Sequence, residues 1–178
     1  MKKFELTAEF VTNVFGKKLF RIKALVAFGD VEKGELGGFI EKEDNISHSG
    51  NAWVSGDAQV SGNAQVYGNA QVSGDAWVSG NAQVYGNAQV FGDAQVSGNA
   101  DFAVVTGFGR YFRATTFFRC KDKILRVQCG CFYGDLAQFR EIVKKTHGVS
   151  KYAKEYLAIA DLMELHFSDE EEKQEADE

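Results

Sequence analysis

The chain has 178 residues, 44% of them apolar, which is enough to bury one core with appended pieces. It has no apolar run long enough to cross a bilayer, and Met1-Lys2-Lys3-Phe4-Glu5 leads into no signal segment, so a cytoplasmic protein without a membrane partner is expected. The net charge of −5 is uneven: residues 169–178 hold seven acids and one lysine, residues 49–100 hold no Lys or Arg, and the basic charge gathers between 101 and 167, so no footprint for duplex nucleic acid is expected.

Residues 1–48 read as an N-terminal β cap. Apolar and polar residues alternate from 4 to 28 around a Gly16-Lys17-Lys18 turn, the pattern of a hairpin, and Gly37-Gly38-Phe39-Ile40 lets the backbone close tightly over the segment beyond it.

Residues 49–103 carry an uninterrupted hexapeptide repeat: GNAWVS, GDAQVS, GNAQVY, GNAQVS, GDAWVS, GNAQVY, GNAQVF and GDAQVS, then GNADFA. Within each unit Ala and Val alternate with Gln or Ser, which is strand periodicity, and a Gly-Asn or Gly-Asp pair bends the chain after every strand. Ala and Val point inward; Gln or Trp, and Ser, Tyr or Phe, point outward. Asp57, Asp75 and Asp93 recur every eighteen residues, as do Tyr67 and Tyr85, and Ser61, Ser79 and Ser97. This recurrence implies three strands per coil, giving a three-sided prism of about three coils with equivalent positions stacked ~4.8 Å apart.

Those columns are the candidate interaction surface. One face has Tyr67 and Tyr85 beside Gln65 and Gln83, the second has Trp77 between Gln59 and Gln95, and the third has Trp53 and Phe91. Outward aromatics on a surface free of basic charge are interface-like; caps or helices that cover them within the monomer are the alternative. The Asp57, Asp75, Asp93 column could hold a cation or face a basic partner, or be the Asp/Asn choice that such bends allow.

An aliphatic residue followed by a small one four places on, as in Val54/Ala58, Val60/Ala64 and Val66/Ala70, resembles the hexapeptide motif of left-handed β-helix proteins, a class that includes acyltransferases and γ-type carbonic anhydrases. The left hand of the coil is implied by that resemblance. Two further stretches, Gly37-Gly38-Phe39-Ile40-Glu41 in the lead-in and Cys129-Gly130-Cys131-Phe132 with its adjoining helical segment, are similar to hexapeptide proteins of bacteria and prophages that have no assigned mechanism. The resemblance implies a bacterial cytoplasm, and a host protein or a nucleotide-type ligand as the thing bound.

Residues 104–134 read as a β-hairpin segment, with strands over 102–120 and 124–132 around Lys121-Asp122-Lys123. Arg110, Tyr111, Arg113 and Arg119 interleave bases with aromatics, either to hold an anionic or nucleotide ligand or as the solvated face of a sheet. Residues 135–168 form a two-helix module. Asp135 with Gln138 starts the first helix, Leu136, Phe139, Ile142 and Val143 form its stripe, and Gly148 ends it. Ser150 caps the second, whose apolar residues fall on two strips; Tyr152, Tyr156, Leu157 and Met163 are its candidate oligomer residues, unless the helix is buried on two sides. Residues 169–178 are expected to be a disordered acidic tail.

Catalytic groups are not evident. No unit of the repeat contains His, Lys or Arg, no loop interrupts it, and His48, His147 and His166 are far apart. Cys120, Cys129 and Cys131 suit reduced thiols better than a metal site. No cofactor is expected. The leading expectation is a non-enzymatic interaction protein that binds a partner or itself; a minimal acyltransferase with an inter-subunit site and a structural assembly unit are the alternatives.

Overall fold

The computed structural model describes residues 1–168. The acidic tail at 169–178 lies outside the described residues. The chain begins with an antiparallel pair, β1 (Phe4–Thr12) and β2 (Lys18–Ala24), joined by a turn that Asn13 organises by accepting the backbone N–H of Phe15 and Lys17. β3 (Leu36–Ile40) pairs antiparallel with β2 and then parallel with the first hexapeptide strand of its face, so the cap and the coil share one sheet.

Eight two-residue strands come next: β4 (Trp53–Val54), β5 (Gln59–Val60), β6 (Gln65–Val66), β7 (Gln71–Val72), β8 (Trp77–Val78), β9 (Gln83–Val84), β10 (Gln89–Val90) and β11 (Gln95–Val96). They pair in parallel eighteen residues apart: β5 with β8 with β11, β4 with β7 with β10, and β6 with β9. The eighteen-residue recurrence of the sequence is therefore one coil of a three-sided β-solenoid. Every Ala and Val from Ala52 to Val96 is at most 1% exposed, and each buried Val contributes roughly 1.5–3 kcal/mol of transfer free energy. At the bends it is the glycine, not the Asn or Asp, that takes the left-handed conformation, with φ between 62° and 72° from Gly50 to Gly92.

The ladder runs one way. Backbone N–H groups of one coil donate to carbonyls of the next, as in Trp53 to Ala70 at 3.0 Å and Gln71 to Ala88 at 2.9 Å. The first coil therefore lacks donors for its carbonyls, and the last lacks acceptors for its N–H groups. An unpaired buried polar group costs about 1–3 kcal/mol, and the two caps answer with side chains of opposite kind. At the start, the ammonium of Lys3 donates to Ala52 O at 2.8 Å, the amide of Asn45 donates to Ala64 O at 2.8 Å, and β3 covers the third side through Phe39 N–H to Ala58 O. At the end, Asn99 Oδ1 accepts from Gln83 N–H at 2.8 Å, Thr116 Oγ1 from Gln89 N–H at 3.0 Å, and Asp101 Oδ2 from Ser97 N–H at 2.8 Å.

The C-terminal segment differs from the hairpin expected over 104–134. It is a four-stranded antiparallel sheet, β12 (Phe102–Val105), β13 (Thr115–Arg119), β14 (Leu125–Cys129) and β15 (Phe132–Asp135). The expected strand over 102–120 is broken by a loop in which Gly107 and Gly109 have φ of 84° and 71°. One face of this sheet closes the solenoid through Phe102, Phe118 and Cys120; the other packs Phe117 and Val127 under the helices. Helix α1 (Leu136–His147) has its Asp135–Gln138 capping box and ends at Gly148, and α2 (Lys151–His166) is capped by Ser150. Of the expected stripe on α1, Leu136, Phe139 and Val143 are buried, whereas Ile142 sits at its margin, 37% exposed.

Candidate functional site

The Tyr67 and Tyr85 column lies on the β6–β9 face, above Gln65 paired with Gln83. The two rings stack with centroids 5.5 Å apart at 16°, and Tyr85 continues edge-on into Phe102 at 6.4 Å. Tyr85 is 54% exposed. At the N-terminal end this column opens into a groove of about 670 Å³ lined by residues 42–44 and 46–48 and by Asn63, Gln65 and Tyr67.

The other two faces are more covered. Trp77 pairs between Gln59 and Gln95, but the ammonium of Lys121 sits 4.1 Å from its ring, and the tip of the β1–β2 hairpin, at Asn13, Val14 and Phe15, roofs a small cleft of about 140 Å³ beside it. Trp53, expected on the surface, is 2% exposed: Phe4 and Phe28 of the N-terminal cap meet its ring edge-on at 6.4 and 5.4 Å. It belongs to the core because the first coil needs a lid and a large flat ring fills the space beneath it. Phe91, on the same side, meets Tyr133 at 5.3 Å and remains partly exposed.

Asp57, Asp75 and Asp93 are exposed on adjoining bends, and bases from both caps border them. Arg21 Nη2 is 3.8 Å from Asp57 Oδ1, while Lys121 donates through Nζ to Asp75 O at 2.8 Å and through its backbone to Asp93 O at 3.0 Å. Among the described residues no group of three or more His, Cys, Asp or Glu side chains is placed to hold a metal ion.

The Arg110, Tyr111, Arg113 and Arg119 segment is divided. Arg119 is on β13 and donates to Phe167 O at 3.0 Å. Arg110 and Arg113 lie in the 106–114 loop, with guanidinium carbons 5.5 and 5.0 Å from the Tyr111 ring. Their loop borders a cleft of about 200 Å³ that also includes Cys131, Thr146 and His147.

On α2, Tyr156 and Met163 are 7% and 6% exposed and face Phe139 and the sheet, so they are core residues of this chain and not a seam with another. Leu157 also packs against that core, and Tyr152 is half-buried near His147. The second strip remains open, with Leu162 and Leu165 at 56% and 63%.

Of the groups that could do chemistry, His147, Cys129 and Cys131 line the cleft beside the 106–114 loop, and His48, His166 and Cys120 lie elsewhere. His48 Nδ1 accepts the Lys3 backbone N–H at 3.2 Å, its Nε2 is 3.7 Å from Glu43, and its ring stacks on Phe4 at 4.4 Å. A neutral imidazole whose Nδ1 lone pair is so used carries its proton on Nε2 and has no free base to offer. His147 and His166 are on different helices, and burial pushes the Cys120 thiol up to about 11. Nothing in the sequence pattern pointed to Lys3, Asn45 or Lys121 as partners of the coil, since each acts on residues more than fifteen positions away.

A search of curated proteins found no match. Residues 64–80 and 82–98 match a family model described as the YdcK beta solenoid repeat, which together with the parallel eighteen-residue pairing makes this chain a β-solenoid repeat protein similar, over those two stretches, to that family.

Proposed function

We propose that the protein is a non-enzymatic binding module whose rigid solenoid presents the Tyr67–Tyr85 column to a protein partner. The observation that carries this reading is the stacked, half-exposed pair of rings on a flat face with no basic residue, continuous with an open groove. Tyrosine offers a large contact area at low entropic cost, and stacking on a solenoid holds both rings in place before a partner arrives. The resemblance to hexapeptide proteins of bacteria and prophages makes a bacterial host protein the first partner class to test. A second reading, self-association through α2, rests on the open Leu162 and Leu165.

The test is affinity capture from a bacterial lysate with the wild-type chain, Tyr67→Ala/Tyr85→Ala and a Gln71→Ala control. A partner that the wild type and the control retain and the double variant loses supports the column. Equal capture by all three overturns it. Stabilisation by acetyl-CoA that disappears in His48→Ala would instead favour an acyltransferase.

A further inference from the structure

The cleft beside the 106–114 loop combines features that the protein-binding face does not use. Its floor is built of rings: Phe132 and Phe139 have centroids 5.6 Å apart, Phe139 and Tyr156 5.8 Å, and Tyr156 and His147 5.8 Å. Its rim carries two guanidinium groups, Arg110 and Arg113, and among the described residues neither forms an ion pair with a carboxylate. Two unneutralised forks at the mouth of an aromatic slot are a site for an anion attached to a flat ring.

The rim is held in place. Gly109 N–H donates to Glu155 at 2.9 Å, and a side chain at Gly109 would run into the Tyr156 hydroxyl, so the loop is seated directly on α2. Arg113 crosses Gly130, where a Cβ would lie 2.8 Å from its Nη1, and its charge is felt at the Tyr156 hydroxyl in the cleft. The nearby carboxylate, Glu155, is engaged by Gly109 and lies 3.5 Å from Lys151 Nζ. At about 200 Å³ the cleft is smaller than the ~300–1,000 Å³ of sites that enclose drug-sized ligands, so it admits one ring while an attached anion stays at the mouth.

We propose that this cleft binds a 5′-mononucleotide, with the base against the partly exposed rings of Phe132 and His147 and the phosphate between Arg110 and Arg113. The site shares no residue with the Tyr67–Tyr85 column, so either can fail without the other.

Calorimetric titration of the full chain with AMP, GMP, CMP and UMP, and separately with adenosine, inorganic phosphate and phenyl phosphate, tests it. At least one mononucleotide is expected to bind about ten-fold or more tightly than adenosine, inorganic phosphate or phenyl phosphate, and to weaken as salt is raised. Arg110→Gln/Arg113→Gln, at positions that are exposed, should fold normally and lose that binding by about ten-fold or more. Arg113→Lys should show an intermediate loss because it keeps the charge without the fork. Failure of every mononucleotide to bind, equal binding by the double variant, or phenyl phosphate binding as tightly would overturn the assignment.

Discussion

Lys3 shows how much a single side chain carries at the end of a solenoid. It is 3% exposed, its ammonium donates to the carbonyls of Ala52 and Gly50 at 2.8 and 3.4 Å, and it lies 4.5 Å above the Phe28 ring. Burial lowers its pKa from 10.5 to about 8. Lys3→Met strips both carbonyls of their donor and is expected to cost about 1–3 kcal/mol near neutral pH. Between about pH 8 and 10.5 the unfolded chain still holds the proton that the folded chain has released, so wild-type stability should rise with pH relative to Lys3→Met over that window. Urea unfolding of both chains at about pH 7 and about pH 10 checks the sign. The variant serves as reference because Cys120, raised from 9.0 to about 11, acts in the opposite direction in both chains. Neither Lys3 nor the burial of Trp53 could be read from the sequence. Trp53 occupies the same repeat position as Trp77, and only the cap above the first coil makes one a core residue and leaves the other partly open.

Among the elements, the hexapeptide strands were the most legible, because a period of six with Val and Ala always inside admits little else. Their bends should nevertheless respond unequally to the same substitution. Gly80 and Gly86 have φ of 62° and 66°, yet a Cβ on Gly80 would collide with Ser97 O of the next coil, whereas one on Gly86 meets nothing within 4 Å. Gly86→Ala should therefore cost only the left-handed strain of about 1–2 kcal/mol, and Gly80→Ala distinctly more, as read from denaturation midpoints. The α1 helix was legible down to its capping box, since Asp135, Gln138 and Gly148 act within one turn of their own backbone. The break in the strand expected over 102–120 falls at Thr106-Gly107-Phe108-Gly109, where two glycines turn the chain; the aromatic and β-branched residues on either side masked that turn signal. That break lifts Arg110 and Arg113 out of the sheet and sets them beside α1 and α2.

At the scale of the whole molecule, one sheet joins two cores: Phe118 enters the solenoid and Phe117, its neighbour on β13, enters the helical module. The helices thus cover the sheet that covers the coil, and the apolar surface left over on α2 is Leu162 and Leu165. If that strip joins two copies, Leu162→Glu/Leu165→Glu should convert a dimer to a monomer in light scattering and make thermal stability independent of protein concentration. A wild-type chain that is already monomeric at high concentration would remove the self-association reading. By itself, the sequence determined the solenoid, its eighteen-residue coil, its inward Val and Ala and the capped helix, all of which are periodic or local and so are written in the spacing of neighbouring residues. Tertiary structure alone decided which outward aromatics stay open, which side chains plug the two ends of the ladder, and that Arg110 and Arg113 meet an aromatic cleft. Those outcomes depend on contacts between segments distant in the chain, where a residue type carries no mark of the partner it will find.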